Sequence, residues 1–227
     1  MEQILIYGDS LSWGIIPGTR NRFAFYKRWP GVMENALLGR GHDVRVIEDC
    51  LNGRTTSIDD PSRPGRNGLV GIEQRIESCS PLTLVMVFLG TNDFQSVHMA
   101  TAKQAAASLR QLVEAIRRAP VEPGMPHPEI LLISPPPIRS AADPIQSKFA
   151  GARERSAGSS GAVQDAARLT GCQFFNAANV TPTSSVDGVH LDADQHRELG
   201  IAMAEWVTLR SGHDGMTGGL PGTFLSR

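Results

Sequence analysis

With 227 residues, 41% of them hydrophobic and 20% charged, the chain has room for one well-filled domain and would be cramped as two. Its net charge of −1 gives no electrostatic reason to expect nucleic acid or an anionic membrane surface as a partner. Three widely spaced cysteines, Cys50, Cys79 and Cys172, exclude an even disulfide framework and a CxxC site, and they fit a reducing compartment.

The apolar run Ile4-Leu5-Ile6-Tyr7 reads as a strand of a parallel sheet, covered on both faces. Glu2 precedes it and the run is too short for the hydrophobic region of a signal peptide, so a soluble, cytoplasmic protein is expected. The strand runs into Gly8-Asp9-Ser10, which sets Ser10 just past a carboxyl end, where open α/β sheets bind ligands. Taken alone, Ser10 is as good a helix N-cap as a functional residue. A loop over 15–25 is long for a compact domain. Its neighbourhood is basic, and Arg20, Arg22, Lys27 and Arg28 read as a solvated loop or a contact surface. A helix is predicted over 26–38, closed by Gly39 and Gly41.

A second strand over 44–47 leads through Asn52-Gly53-Arg54-Thr55-Thr56 into another long, polar loop that reaches Gly68. A short helix over 69–78 stops before Pro81. The strongest strand signal, 82–89, ends in Gly90-Thr91-Asn92-Asp93. Thr101 and Gln104 form a capping box for an amphipathic helix over 102–118. A fourth strand covers 130–133, and three prolines after Ser134 forbid an immediate helix. The spacing predicts a long helical region over 147–169, although Gly158 and Gly161 weaken its middle. A fifth strand covers 173–175. Asp187-Gly188-Val189-His190 then precedes a last helix over 193–210, with Asp192 and Gln195 as a second capping box. Five alternations of strand and helix predict an α/β fold, a five-stranded parallel sheet with helices on both faces. No repeat or linker divides it, so 1–210 is read as one domain and 211–227 as a glycine-rich tail.

Three polar clusters, at Ser10, Gly53 and Asn92, each follow one of the first three strands. In a parallel sheet those ends point the same way, so the clusters should meet in one crevice. A serine hydroxyl becomes a nucleophile when a base takes its proton, and histidine is suited to that near neutral pH. Asp187 can reach His190 across Gly188 and orient it. The backbone N–H groups of Ser10 and Gly53 and the Asn92 amide are donors for a developing oxyanion. Each has a plainer reading: Asn92 as a turn cap, Gly53 as a loop glycine, and Asp187 with His190 or His196 as metal ligands. The last is incomplete without further ligands, and neither a metal nor an organic cofactor is expected. His42, His98, His127 and His213 read as surface residues. The chain has no G-x-S-x-G elbow, P-loop or G-x-G-x-x-G.

The blocks Gly8-Asp9-Ser10-Leu11, Gly53, Gly90-Thr91-Asn92-Asp93 and Asp187-Gly188-Val189-His190, in that order, resemble the GDSL, or SGNH, hydrolase family. The resemblance implies a flavodoxin-like three-layer sandwich. It also implies Ser10 as nucleophile, His190 as base, Asp187 as its partner, and Gly53 and Asn92 as oxyanion donors. Trp13-Gly14, Arg54-Thr55-Thr56, Ile58-Asp59-Asp60-Pro61, Asn67-Gly68 and Ser134-Pro135-Pro136-Pro137 are similar to the arylesterase and acyltransferase branch, with a small-molecule ester as substrate. Asp9, Leu11 and Trp13 are the candidates for the substrate pocket, Trp13 being equally a core residue. The same branch implies a homo-oligomer, here expected to be larger than a dimer, and the apolar and arginine residues of the loops over 15–25 and 58–68 place those loops at its contacts. Within the family, a carbohydrate acetylesterase or a thioesterase fits the same blocks. Outside it, a non-catalytic flavodoxin-like module that binds an anion is the rival, and it leaves Asp187 and His190 unexplained.

Overall fold

The computed structural model describes residues 1–214, with side chains described to residue 210. Five parallel strands run in chain order as β1 (Glu2–Gly8), β2 (Val44–Cys50), β3 (Leu84–Phe88), β4 (Glu129–Ser134) and β5 (Gln173–Asn176). Their spatial order is β2-β1-β3-β4-β5, the doubly wound order of flavodoxin-like folds. The sheet reverses its winding between β1 and β3, so a crevice opens where those two carboxyl ends part.

Alternation along each strand divides the core into two halves. Leu5, Tyr7, Val85, Val87, Ile130 and Leu132 face α3 (Ile72–Cys79), α4 (Ala102–Arg118) and α6 (Ser159–Thr170). Ile4, Ile6, Leu84, Met86, Leu131 and Ile133 face α2 (Trp29–Gly39) and α7 (Ala193–Asp214). Both strand faces are apolar because both are covered, as an unbroken apolar run requires. The capping box at Thr101 forms in full, its hydroxyl and the Gln104 side chain each serving the other's backbone N–H. At α7 the Gln195 side chain accepts from the Asp192 N–H at 2.7 Å, half of the expected box.

Several boundaries differ from the sequence expectation. A 3₁₀ turn at Phe25–Lys27 precedes α2, which starts at Trp29 and runs through Gly39, with Pro30 in its first turn. The helical region over 147–169 is broken into a 3₁₀ turn (Ser147–Phe149), α5 (Ala152–Arg155) and α6. Gly151 and Gly158 adopt φ of 70° and 77°, a conformation no continuous right-handed helix contains. That break turns the Ser147–Phe149 segment toward the carboxyl edge of the sheet, where it meets the crevice. The last helix continues to Asp214 rather than ending at Arg210, and 215–227 of the expected tail lies outside the described residues. Among the described residues no helix is long and apolar enough to cross a membrane, and the three cysteines are unpaired.

Candidate active site

β1 ends at Gly8, and the chain turns at once into α1 (Ser10–Trp13), a single helical turn. The N-cap of that turn is Asp9, whose carboxylate accepts the Leu11 N–H at 2.9 Å. Ser10 is therefore not the cap. Its hydroxyl is left free to face His190, and Ser10 Oγ and His190 Nε2 lie 3.2 Å apart.

His190 comes from the far end of the chain, in the segment between β5 and α7. Asp187 holds it with one oxygen for the ring and the other for the backbone. Oδ2 meets His190 Nδ1 at 2.6 Å, while Oδ1 accepts the N–H groups of Val189 and His190 at 3.0 and 2.9 Å. Burial alone would raise the Asp187 pKa. The hydrogen bond from the His190 ring, its charge and the two backbone donors outweigh burial and hold the carboxyl at about 2. Asp187 is thus ionised across the neutral range, and its Nδ1 contact points Nε2 at the serine.

The loop after β2 closes the other side. Gly53 adopts φ of 83°, a left-handed conformation that strains any residue with a side chain. Among the described residues, neither the Ser10 nor the Gly53 backbone N–H has an acceptor. Asn92, in the turn after β3, is buried and lines the same cavity. Its amide nitrogen donates to Asp9 Oδ2 at 2.9 Å and to the Arg54 carbonyl at 3.0 Å, and Gln95 donates to its oxygen. The amide orientation is thereby set from three sides. To serve an oxyanion, Asn92 must share or release one of its two donations.

Beneath these groups lies a polar layer that the motif reading did not resolve. Asp93 accepts the Thr56 N–H at 2.9 Å and the Thr56 hydroxyl at 2.8 Å, tying the turn after β3 to the loop after β2. Arg54 donates to the carbonyls of Gly8 and Asp49 and to the Asp49 carboxylate, and its guanidinium lies 4.0 Å from the Tyr7 ring centroid. Burial pushes Asp93 up to about 7 against its bonds from Thr56, and Asp9 up to about 6 against its donors and nearby positive charge. Arg54-Thr55-Thr56 and Asn92-Asp93 are legible as polar clusters at strand ends, but only the fold shows which of their side chains meet.

Ser10, Gly53, Asn92, Asp187 and His190 all line one cavity of about 370 Å³. Asp9, Leu11 and Trp13 do not. Asp9 is wholly buried under Asn92, and Leu11 packs into the core with α2 and α7. Trp13 is half-buried outside the cavity with the Arg22 guanidinium 4.7 Å from its ring centroid. Successive residues on a helix point about 100° apart, so the neighbour of Ser10 in α1 faces away from it. The walls come instead from residues not expected there, notably Ile15, Arg20, Arg63, Ile145, Lys148 and Phe149.

The other histidines have separate fates. His196 is enclosed. Its Nδ1 accepts the Trp29 N–H at 3.2 Å, Phe23 packs edge-on against its ring, and burial with nearby Arg28 and His190 pushes its pKa down to about 3. The His98 side chain is buried beside Asp60, against the surface expectation. His127 is exposed and His42 contacts Thr208, while the His213 side chain lies outside those described. Among the described residues no group of three or more His, Cys, Asp or Glu is arranged to hold a metal ion.

The model of the GDSL-like lipase/acylhydrolase family matches residues 6–198. Among curated proteins, an arylesterase of Vibrio mimicus is 36% identical over 92 residues, which is 40% of this chain and 38% of that protein's length. Among solved structures, the inhibitor-bound aryl esterase of M. smegmatis superposes with a TM-score of 0.87 at 34% identity, covering 92% of this chain and 99% of that one. A carbohydrate acetylesterase from Sinorhizobium meliloti gives the same TM-score and identity over 92% and 100% of the two chains.

Proposed function

This chain belongs to the GDSL-like lipase/acylhydrolase family, and from that premise we propose that it is a serine esterase working through an acyl-enzyme on small or aryl esters. The observation that carries the reading is the unbroken line from Asp187 through His190 to Ser10, opening on a cavity beside two unused backbone N–H groups.

In this mechanism Ser10 Oγ attacks the ester carbonyl while His190 Nε2 takes its proton. The carbonyl oxygen gains the negative charge, and the N–H groups of Ser10 and Gly53 with the Asn92 amide stabilise it. His190 returns the proton to the leaving alcohol, and the acyl group stays on Ser10. Water, deprotonated by the same nitrogen, then releases the acid. Asp187 keeps the ring in the required tautomer and stabilises its protonated form. An alcohol in the cavity can take the place of water, which gives acyl transfer. The M. smegmatis aryl esterase and the S. meliloti carbohydrate acetylesterase support two substrate classes, aryl esters and acetylated sugars.

The proposal extends to a homo-oligomer, with no nucleic acid or membrane partner, acting in the cytoplasm. Part of the expected contact loop is used within the chain, since Phe23 packs on His196 and Arg22 bonds to Glu48. Tyr26, at 64% exposure, and Phe25 beside it remain at the surface as candidate contacts. Light scattering tests this, and a single monomer mass at micromolar concentration refutes it.

A fluorophosphonate probe tests the catalytic reading. Labelling at Ser10, abolished in Ser10→Ala and strongly slowed in His190→Ala, is expected. Resistance of the wild-type protein supports a binding module instead. Product analysis in water containing a modest alcohol concentration then separates hydrolysis from transfer by whether a new ester accompanies the free acid.

A further inference from the structure

Three cationic side chains line the cavity: Arg20 from the loop after α1, Arg63 from the loop after β2, and Lys148 from the turn before α5. They lie far apart in sequence and meet only in the fold. Among the described residues none of the three is in an ion pair. Arg63 donates one bond, to the Asn52 carbonyl at 3.1 Å, and Lys148 Nζ lies 5.8 Å from the Phe149 ring centroid. Arg63 and Lys148 are half-buried, so water does not fully solvate their charges.

Carboxylates balance them only in part, and none forms a direct ion pair with them among the described residues. Among the described residues Asp187 is the one acid lining the cavity, and its oxygens are taken by the His190 ring and the N–H groups of Val189, His190 and Gly18. Asp60 lies close enough to act on Lys148 and Arg63, but its Oδ1 is taken by the Ser62 N–H and hydroxyl at 2.9 and 2.6 Å, and its Oδ2 faces His98. Burial pushes the Lys148 pKa down, and Arg63 and Arg20 push it further, against Asp60 and Asp9. Like charges gathered in a confined space repel one another, and clefts lined by one sign concentrate ligands of the other. Guanidinium and ammonium donors left free in such a place match anionic oxygen.

We infer that the cavity is built for an ester bearing an anionic oxygen group, carboxylate or phosphate, on its acyl or its alcohol part, bound by Arg63 and Lys148 with Arg20 at the mouth. The inference rests on the esterase reading for the word ester, and on the three cations alone for the charge. It gives the loops over 15–25 and 51–71 a substrate-selecting role.

The test compares kcat/KM within matched pairs of equal reactivity. On the acyl side the pair is 4-nitrophenyl hydrogen adipate and its methyl ester; on the alcohol side it is 4-acetoxybenzoate and 4-acetoxybenzamide. The wild-type protein is expected to favour the anionic member at least tenfold in one arm, and that arm identifies the charged end. Lys148→Met and Arg63→Met should each lower this ratio about tenfold, Lys148→Arg should retain it, and added salt should erode it. A ratio near one in both arms overturns the inference. So does a wild-type ratio that neither substitution changes, because equal loss on both members assigns the cations to the oxyanion or to folding. Calorimetric titration with adipate, benzoate, inorganic phosphate and benzamide needs no turnover. If no ester is cleaved, the esterase reading fails, while anion binding weakened by Lys148→Met still upholds the charged site, and absence of anion binding overturns it.

Discussion

The floor and the rim of the cavity are built on opposite terms. On the floor the polar groups are buried and paired, Asn92 with Asp9 and the Arg54 carbonyl, Asp93 with Thr56, and Asp187 with His190, by hydrogen bonds of 2.6–3.0 Å. On the rim, Arg20, Arg63 and Lys148 line the cavity with no direct ion pair among the described residues, and Asp60 is the nearby opposing charge on Lys148 and Arg63. A buried polar group without a partner costs stability, so the floor is closed on itself and holds catalytic atoms still. A cation near solvent can be left unpaired cheaply, so the rim can keep its binding capacity for a ligand.

The comparison breaks first, and most heavily, at the floor. Ser10→Ala and His190→Ala should each lower kcat by roughly 10³–10⁶, and the double variant should be little worse than either, because the groups act as one unit. Retention of a tenth of wild-type kcat in Ser10→Ala would remove Ser10 from the chemistry. Asp187→Asn should lower kcat by about 10⁴ by favouring the wrong tautomer, with far less change in KM. Asn92→Ala should lower kcat by roughly 10²–10³; a change confined to KM would assign it to ester binding instead.

The rim should respond in specificity rather than in turnover chemistry. Arg20, the exposed member of the three, should matter less than Arg63 or Lys148. Arg20→Met is expected to change the anionic-to-neutral kcat/KM ratio by only a fewfold, and raising ionic strength should narrow its difference from wild type first. An effect larger than that of Lys148→Met would reverse the assigned order.

The smallest effects sharpen the floor itself, through two carboxyls shifted in opposite directions. Asp187 sits at about 2, below the unfolded value near 3.9, so its contribution is present above that value and is lost as pH falls toward 2. Asp93 sits at about 7, so the folded protein holds a proton that the unfolded chain releases, and stability falls as pH rises from about 4 to 7. Urea midpoints between pH 2 and 7 should therefore show a flatter neutral-side slope for Asp93→Asn and a flatter acid-side slope for Asp187→Asn. Parallel profiles for both variants and wild type would contradict these shifts.

Much of the floor was legible because its parts are local. A strand of unbroken apolar residues announces a buried parallel strand, and the Gly-Asp-Ser corner or Gly-Thr-Asn-Asp turn follows within a few residues. The pairing of Asp187 with His190 spans only three positions. Asp9 and Leu11 flank Ser10 in sequence yet point away from the cavity, Asp9 because its carboxylate caps α1 and bonds Asn92, Leu11 because a helix turns each side chain about 100° from the last. The interruption of the 147–169 region was half legible, with Gly158 noticed and Gly151 passed over.

By itself, then, the sequence determined the α/β alternation, the strand ends and the order of the family's four blocks, because periodicity and turn chemistry act over a few neighbouring residues. Tertiary structure alone decided that Ser10 and His190, 180 positions apart, stand at 3.2 Å, that Asp93 ties down Thr56, and that Arg20, Arg63 and Lys148 share one wall. Those meetings follow from the sheet order β2-β1-β3-β4-β5, which brings loops together at one edge. A loop's composition tells what it can bind, but where the sheet carries it tells what it stands beside.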